Sequence, residues 1–279
     1  MNLKDKLRGL PTIYYVNLDH RTDRREYMES QFDKWKISNY HRISASKYLS
    51  TEDHKWEHLV LDKKLTFGSA AVGDSITHVE MIKNWLDTTN EEYLILMEDD
   101  YDLSLIEYWN FDWEYLMNHI PENWDCIQLG FENNVAIPFF LHPTHDSYGF
   151  GPCLIKRSYA EKLVRLHFKD GKFLLNLRCN DVRFNELYGM VDHFIIKSGR
   201  CYSIPLITNN PYLGSDVCLT NTPRDWFESC KNLYYDWWKN EHHKYTLEEF
   251  FTYGKENDYK MTKKVIYNER KSSNNIQYM

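Results

Sequence analysis

The chain has 279 residues, 42% hydrophobic and 27% charged, with a net charge of −7. That mixture can bury a sizeable core, which excludes a largely disordered chain. The acidic balance argues against a nucleic-acid binder, which needs clustered Lys and Arg for the phosphate backbone. No apolar run approaches the ~20 residues of a spanning helix, so no transmembrane segment is expected. The opening residues lack an apolar signal core, and the six cysteines are scattered with no CxxC pair. Zinc-ribbon and thioredoxin readings therefore fail, and a cytoplasmic, reducing setting is expected.

Residues 12–18 (TIYYVNL) are rich in β-branched and aromatic side chains and predict a strand. After a polar turn, residues 24–37 predict a helix, with Met28, Phe32 and Trp35 on one stripe and Asp23 with Glu26 placed to cap it. Residues 40–44 predict a short strand and residues 47–64 a polar loop or irregular helix. Residues 70–86 predict a helix with the stripe Val72, Ile76, Val79, Ile82 and Leu86. Residues 93–97 form a continuous apolar run, as in a buried strand. Further strands are predicted over 124–129, 148–155 and 193–196, and a strand or extended loop over 200–207. Helices are predicted over 159–168, capped by Ser158 and Glu161, and over 180–188. The alternation of strand and helix implies a mostly parallel α/β sheet. Residues 225–241 fit an amphipathic helix, and Thr246 with Glu249 can cap another.

Two clusters could carry chemistry. Three carboxylates, Glu98, Asp99 and Asp100, follow the buried strand, and their mutual repulsion needs compensation. Ligands of open α/β sheets gather outside the carboxyl ends of strands, and hard cations take oxygen ligands. A divalent metal is one reading; a solvated acidic turn is the other. At the end of the first strand, Asn17, Asp19, Arg21 and Arg24 cluster on the same rim. Arginines there could meet a diphosphate bidentately, or they could simply decorate a helix-capping turn. Neither a P-loop nor a GxGxxG pattern is present. His142 and His145 flank Pro143 and read as a loop, and His242-His243 as a solvated helix end. Trp237-Trp238 could pack their helix or form an acceptor platform, packing being the simpler reading.

In order along the chain, YYVNLDHRTDRREYM, HRISAS, VGDSITHVEMIK and LILMEDDYDL resemble the motifs of glycosyltransferase family 25, which includes lipopolysaccharide-biosynthesis and procollagen galactosyltransferases. Weaker likenesses follow in GFGPCLIKRSYAEKLV and CYSIPLITNNPYLGSDV. Thr77 stands where the family usually has Ser, and Asn209 or Asn210 where it usually has Gln. The resemblance implies a GT-A type α/β fold (a Rossmann-like, mostly parallel sheet flanked by helices) over residues 1–220. The nucleotide-sugar half would be about 1–130 and the acceptor half about 131–220, with an aromatic helical extension and polar tail over 221–279. It implies inverting transfer of a hexose, galactose or glucose, from a UDP-sugar to a glycan or protein hydroxyl, with Mn²⁺ or another divalent cation. Asp100 and Glu98 would be metal ligands. Asn17, Asp19, Arg21, Arg24, Thr77, His78 and Asp99 would line the nucleotide-sugar site. Asp181, or else Asp192, would be the general base, although Asp181 reads equally well as a helix N-cap. Readings from other classes are a catalytically inactive sugar- or glycoprotein-binding module on the same fold, and a metal-dependent phosphoesterase.

Overall fold

The structure is a computed structural model that describes residues 3–45, 57–61, 69–130, 139–144, 150–175, 177–178, 187–188, 191–216 and 224–256. The chain opens with α1 (Leu3–Lys6), β1 (Ile13–Asn17), α2 (Thr22–Trp35) and β2 (Tyr40–Ser44). Next come α3 (Ser69–Thr88), β3 (Tyr93–Glu98), β4 (Tyr101–Asp102), α4 (Trp113–His119) and β5 (Cys126–Gln128). β6 (His142–Pro143), β7 (Cys153–Lys156) and α5 (Arg157–His167) follow. Two small antiparallel pairs come next, β8 (Phe168–Lys169) with β9 (Lys172–Phe173), and β10 (Leu177–Arg178) with β11 (Leu187–Tyr188). α6 (Val191–Lys197), β12 (Cys201–Ser203), β13 (Thr208–Asn209), α7 (Arg224–Asn240) and α8 (Leu247–Glu256) complete the described chain.

Seven strands form the central sheet in the order β2-β1-β3-β7-β5-β12-β6. β1 is parallel to β2 and β3, and β5 to β12. β7 runs antiparallel to both β3 and β5, and β6 antiparallel to β12. Five strands thus share one direction, and β7 and β6 oppose it. A mixed, mostly parallel sheet covered by helices on both faces is the architecture expected of a GT-A type fold.

Strand alternation divides the core into two layers. One face presents Ile13, Tyr15, Ile95, Met97, Ile127, Leu154 and Tyr202, and packs against α2, α4, α7 and α8. The other presents Val16, Leu94, Leu96, Ile155 and three thiols, Cys126, Cys153 and Cys201, against α3, α5 and α6. The described cysteines, these three and Cys230, are all buried thiols. Tyr234 and Trp238 of α7 and Phe250 and Phe251 of α8 lie in the same cluster as the sheet residues, so the C-terminal helices share the main core. Trp237 stacks on Phe139 and Phe250, and Trp238 donates its indole N–H to the Pro205 carbonyl at 2.6 Å. The tryptophan pair therefore packs. Among the described residues no helix is long and apolar enough to cross a membrane.

Gly130 and Gly151 mark a close backbone approach. A Cβ on Gly151 would lie 1.5 Å from the Gly130 carbonyl oxygen, and one on Gly130 would lie 2.4 Å from that of Ile207. Only glycine fits at such a crossing. It carries the chain from β12 back towards the end of β3, where β13 pairs antiparallel with β4.

Several local expectations are corrected. Residues 193–196 belong to a helix, α6, whose apolar side chains Phe194, Ile195 and Ile196 face the sheet. α5 starts after Lys156 with no side-chain cap, so Ser158 and Glu161 form no capping box. α2 likewise starts after Arg21 without one. Leu187–Tyr188 is a strand; the rest of the helix expected over 180–188 lies outside the described residues. His142 is buried in β6 and is not in a loop, and half-buried His242 lies against Trp238 and is not a solvated end. His145 lies outside the described residues, as do most of the loop 47–64 and the polar tail.

Candidate active site

The carboxyl ends of β1, β2 and β3 form one rim. Asn17 pairs in register with Ser44, and Val16 with Glu98. The three acids at the end of β3 do not form one patch, because the pleat sends neighbouring side chains to opposite faces. Glu98 follows Leu94 and Leu96 to the α3 side, and Asp99 follows Ile95 and Met97 to the α2 side.

On the α3 side, Glu98 meets Asp74 and His78. Each of the three offers one ligand atom, and these atoms all lie within 4.8 Å of one another. Asp74 and His78 are four residues apart on one helical face. His78 is fully buried, and its Nδ1 lies 3.0 Å from the Asp74 carbonyl oxygen and 3.1 Å from Asp74 Oδ1. The Asp74 carbonyl can only accept, so Nδ1 is the donor in that bond. Nε2 is buried and has no hydrogen-bond partner among the described residues. The ring edge rests on Phe150 at 4.9 Å. Burial pushes the Glu98 carboxyl well above its ordinary range, and the charges of Asp74, Asp100 and Asp99 push it further. An imidazole and two carboxylates, crowded with like charge, form a donor set that fits a divalent cation. Two ligands ~2.1 Å from an ion span at most ~4.2 Å, so a small closure would suffice.

On the α2 side, Asp99 is 4% exposed and fully engaged. Arg24 pairs with it at 2.5 Å, and Asn17 Nδ2 donates to it at 2.6 Å. Arg24 also lies 3.5 Å from Asp100 and donates to the Gly214 carbonyl. Arg21 binds Asp23 and Asp216, and donates to the Leu213 carbonyl at 2.8 Å. In this structure both guanidinium groups thus tie the segment 213–216 to the rim. Gly214, at φ +70°, makes the turn that presents these carbonyls. Asp19 pairs with Arg42 and accepts from Ser44 Oγ at 2.8 Å. Thr77 is buried and turns its hydroxyl back to the Gly73 carbonyl at 2.8 Å. Asp100 sits at the mouth, where burial pushes it up to about 6; Arg24 opposes this shift and Asp99 reinforces it. Its carbonyl accepts from the Asn210 N–H at 2.6 Å, and Asn209 pairs in register with Tyr101.

The structure thus brings together Asn17, Arg24, Asp99 and Asp100, and separately Glu98 with His78. Asp181 lies outside the described residues, and Asp192 lies in α6 with its side chain undescribed. Asp74 was absent from the expected set, although its i, i+4 relation to His78 is legible in VGDSITHVEMIK. Asp216 closes the quoted stretch CYSIPLITNNPYLGSDV but was given no role there, and it binds Arg21 across 195 positions of chain.

No family model matches the chain, and no curated protein matches it. Solved structures give distant likenesses. A197 from STIV aligns over 71% of this chain and 84% of its own, with 12% identity and a TM-score of 0.36. A glycosyltransferase involved in glycosylation of the major capsid of PBCV-1 aligns over 79% and 98%, with 10% identity and a TM-score of 0.35. An active-site mutant of LgtC aligns over 80% and 95%, with 12% identity and a TM-score of 0.25.

Proposed function

We propose that the protein is an inverting, metal-dependent glycosyltransferase that moves a hexose from a UDP-sugar to a hydroxyl of a glycan or protein acceptor. The observation that carries the reading is the Asp74–His78–Glu98 cluster beside the rim of a mostly parallel sheet. Glu98, Asp74 and His78 would hold the cation, with Asp100 at the mouth. A bound Mn²⁺ would supply charge stabilisation to the departing diphosphate. Asp19, exposed on the rim, is suited to the nucleotide's hydroxyls, and buried Asn17 would help position it through Arg42, which binds both. Arg24 pairs with Asp99 at the rim. Asp181, with Asp192 as the alternative, would accept the acceptor proton as the new glycosidic bond forms at the anomeric carbon and the bond to the diphosphate oxygen breaks.

Calorimetric titration with UDP, with and without Mn²⁺, tests this reading. Binding should require the metal and should weaken at least tenfold in Glu98→Gln and Asp74→Asn. UDP binding that ignores Mn²⁺, or no UDP binding at all, overturns it. Asp181→Asn should keep metal-dependent UDP binding and cut turnover on a UDP-hexose at least a hundredfold, within the ~10²–10⁴ range of a general base.

A further inference from the structure

Aromatic residues make up 16% of the chain, and almost all the described ones are packed away. Among the described residues only Tyr212 and Tyr245 are exposed aromatics, at 55% and 39%. Tyr245 sets its ring against Phe140 at 4.8 Å, within the aromatic cluster of α7 and α8. Tyr212 stands on the segment that the candidate site holds in place. Two residues before it, the Asn210 N–H binds the Asp100 carbonyl; one and two residues after it, the Leu213 and Gly214 carbonyls take Arg21 and Arg24.

An exposed tyrosine is ordinary; one held at several points is not. The Tyr212 N–H donates to Asn210 Oδ1 at 3.1 Å, and its hydroxyl donates to Glu228 of α7 at 2.7 Å. The Arg224 guanidinium lies 4.2 Å from the ring centroid. Arg224 and Glu228 are one helical turn apart, so α7 presents both to the ring. The result is an aromatic ring of fixed orientation, with a guanidinium over one face and a carboxylate at its hydroxyl, on the segment that Arg21 and Arg24 tie to the site.

We propose that Tyr212, with Arg224 and Glu228, is a carbohydrate subsite that stacks one pyranose ring; on the transferase reading it holds the acceptor sugar. The physical match is specific to that ligand class. The axial C–H groups on one side of a pyranose form an apolar, slightly positive patch that complements the negative face of an aromatic ring. Because Arg224 covers one face of the ring, the sugar would take the opposite face, with its equatorial hydroxyls reaching past the ring's edge, where the Glu228 carboxylate can accept. Orientation fixed in advance spares the ordering cost that a free side chain incurs on binding.

The test is saturation-transfer NMR on the full chain with the methyl β-glycosides of glucose, galactose, mannose and N-acetylglucosamine. At least one should receive saturation from the wild-type protein. That signal should drop at least fivefold in Tyr212→Ala and persist in Tyr212→Trp, which keeps a flat face. Equal signals from wild type and Tyr212→Ala, or no signal from any of the four, overturn the subsite. UDP titration in Mn²⁺ reads the transferase proposal separately. Glycoside binding that depends on Tyr212 without any UDP binding would leave the subsite standing as part of a sugar-binding module. UDP binding with no dependence of glycoside binding on Tyr212 would do the reverse.

Discussion

Glu98 and Asp99 are chemically alike and adjacent, yet the pleat gives them opposite work. Asp99 is paired with Arg24 and hydrogen-bonded by Asn17 inside the fold, whereas Glu98 faces two further ligand-type side chains, Asp74 and His78. Composition alone treats the run as one acidic motif; the alternation of a single strand separates it. Asp100 adds a signature in solution. Its carboxyl, pushed up to about 6, keeps its proton at pH values where the unfolded chain has released it. The stability tied to that proton is complete below the unfolded value of about 3.9, and is lost as pH rises through the folded one. Thermal unfolding of the metal-free protein should therefore show a falling contribution from about pH 4 to pH 7. Glu98 is shifted in the same direction, so Asp100→Asn should make the fall shallower without abolishing it. An unchanged slope would mean that the Asp100 carboxyl is not shifted.

Helix caps show where local sequence speaks and where it does not. Thr246 and Glu249 close a reciprocal box: the Thr246 N–H donates to Glu249 Oε2 at 2.7 Å and the Glu249 N–H to Thr246 Oγ1 at 3.1 Å. Ser158 and Glu161 have the same spacing, but β7 runs directly into α5 at Lys156, so Ser158 is already inside the helix. Thr246→Ala should cost about 1 kcal/mol in denaturant unfolding, and Ser158→Ala should stay within about 0.5 kcal/mol. Equal costs would mean that the Thr246 box contributes nothing of its own. α6 was misread as a strand for a related reason. Its apolar run Phe194–Ile196 is short, and periodicity cannot separate a short buried helix from a short buried strand. The long stripes of α2, α3 and α7 were legible because three or more turns repeat the pattern. Of the candidate site, the rim and its acids were legible, since both follow directly from where β1 and β3 end. Asp216 and Tyr212 were not, because a glycine-mediated backbone crossing far along the chain brings them there.

At the scale of the whole molecule, the expected division between residues 1–220 and a C-terminal extension meets a core that crosses it. Trp238, 1% exposed, packs near Phe111 and binds the Pro205 carbonyl, while Phe251 meets Phe111 and Tyr115. Lys231 of α7 also pairs with buried Asp102 at 2.6 Å, beside the strand pair that carries the segment leading to Tyr212. Trp238→Ala should therefore destabilise the entire protein by about 3–5 kcal/mol and leave a single cooperative transition. Two separate transitions, only one of them shifted, would show the extension to be an independent unit.

The three thiols on adjacent strands give the protein a clock. Cys126, Cys153 and Cys201 lie on neighbouring strands in the middle of the sheet, and Cys230 lies on α7, all with no exposed surface. An alkylating reagent reaches them only while the covering layers are apart, so the labelling rate counts openings under native conditions. Peptide-resolved mass spectrometry would time the sheet through three positions and the C-terminal layer through the fourth. Matching rates would mean that the layers separate in one event, and a faster Cys230 that α7 lifts first.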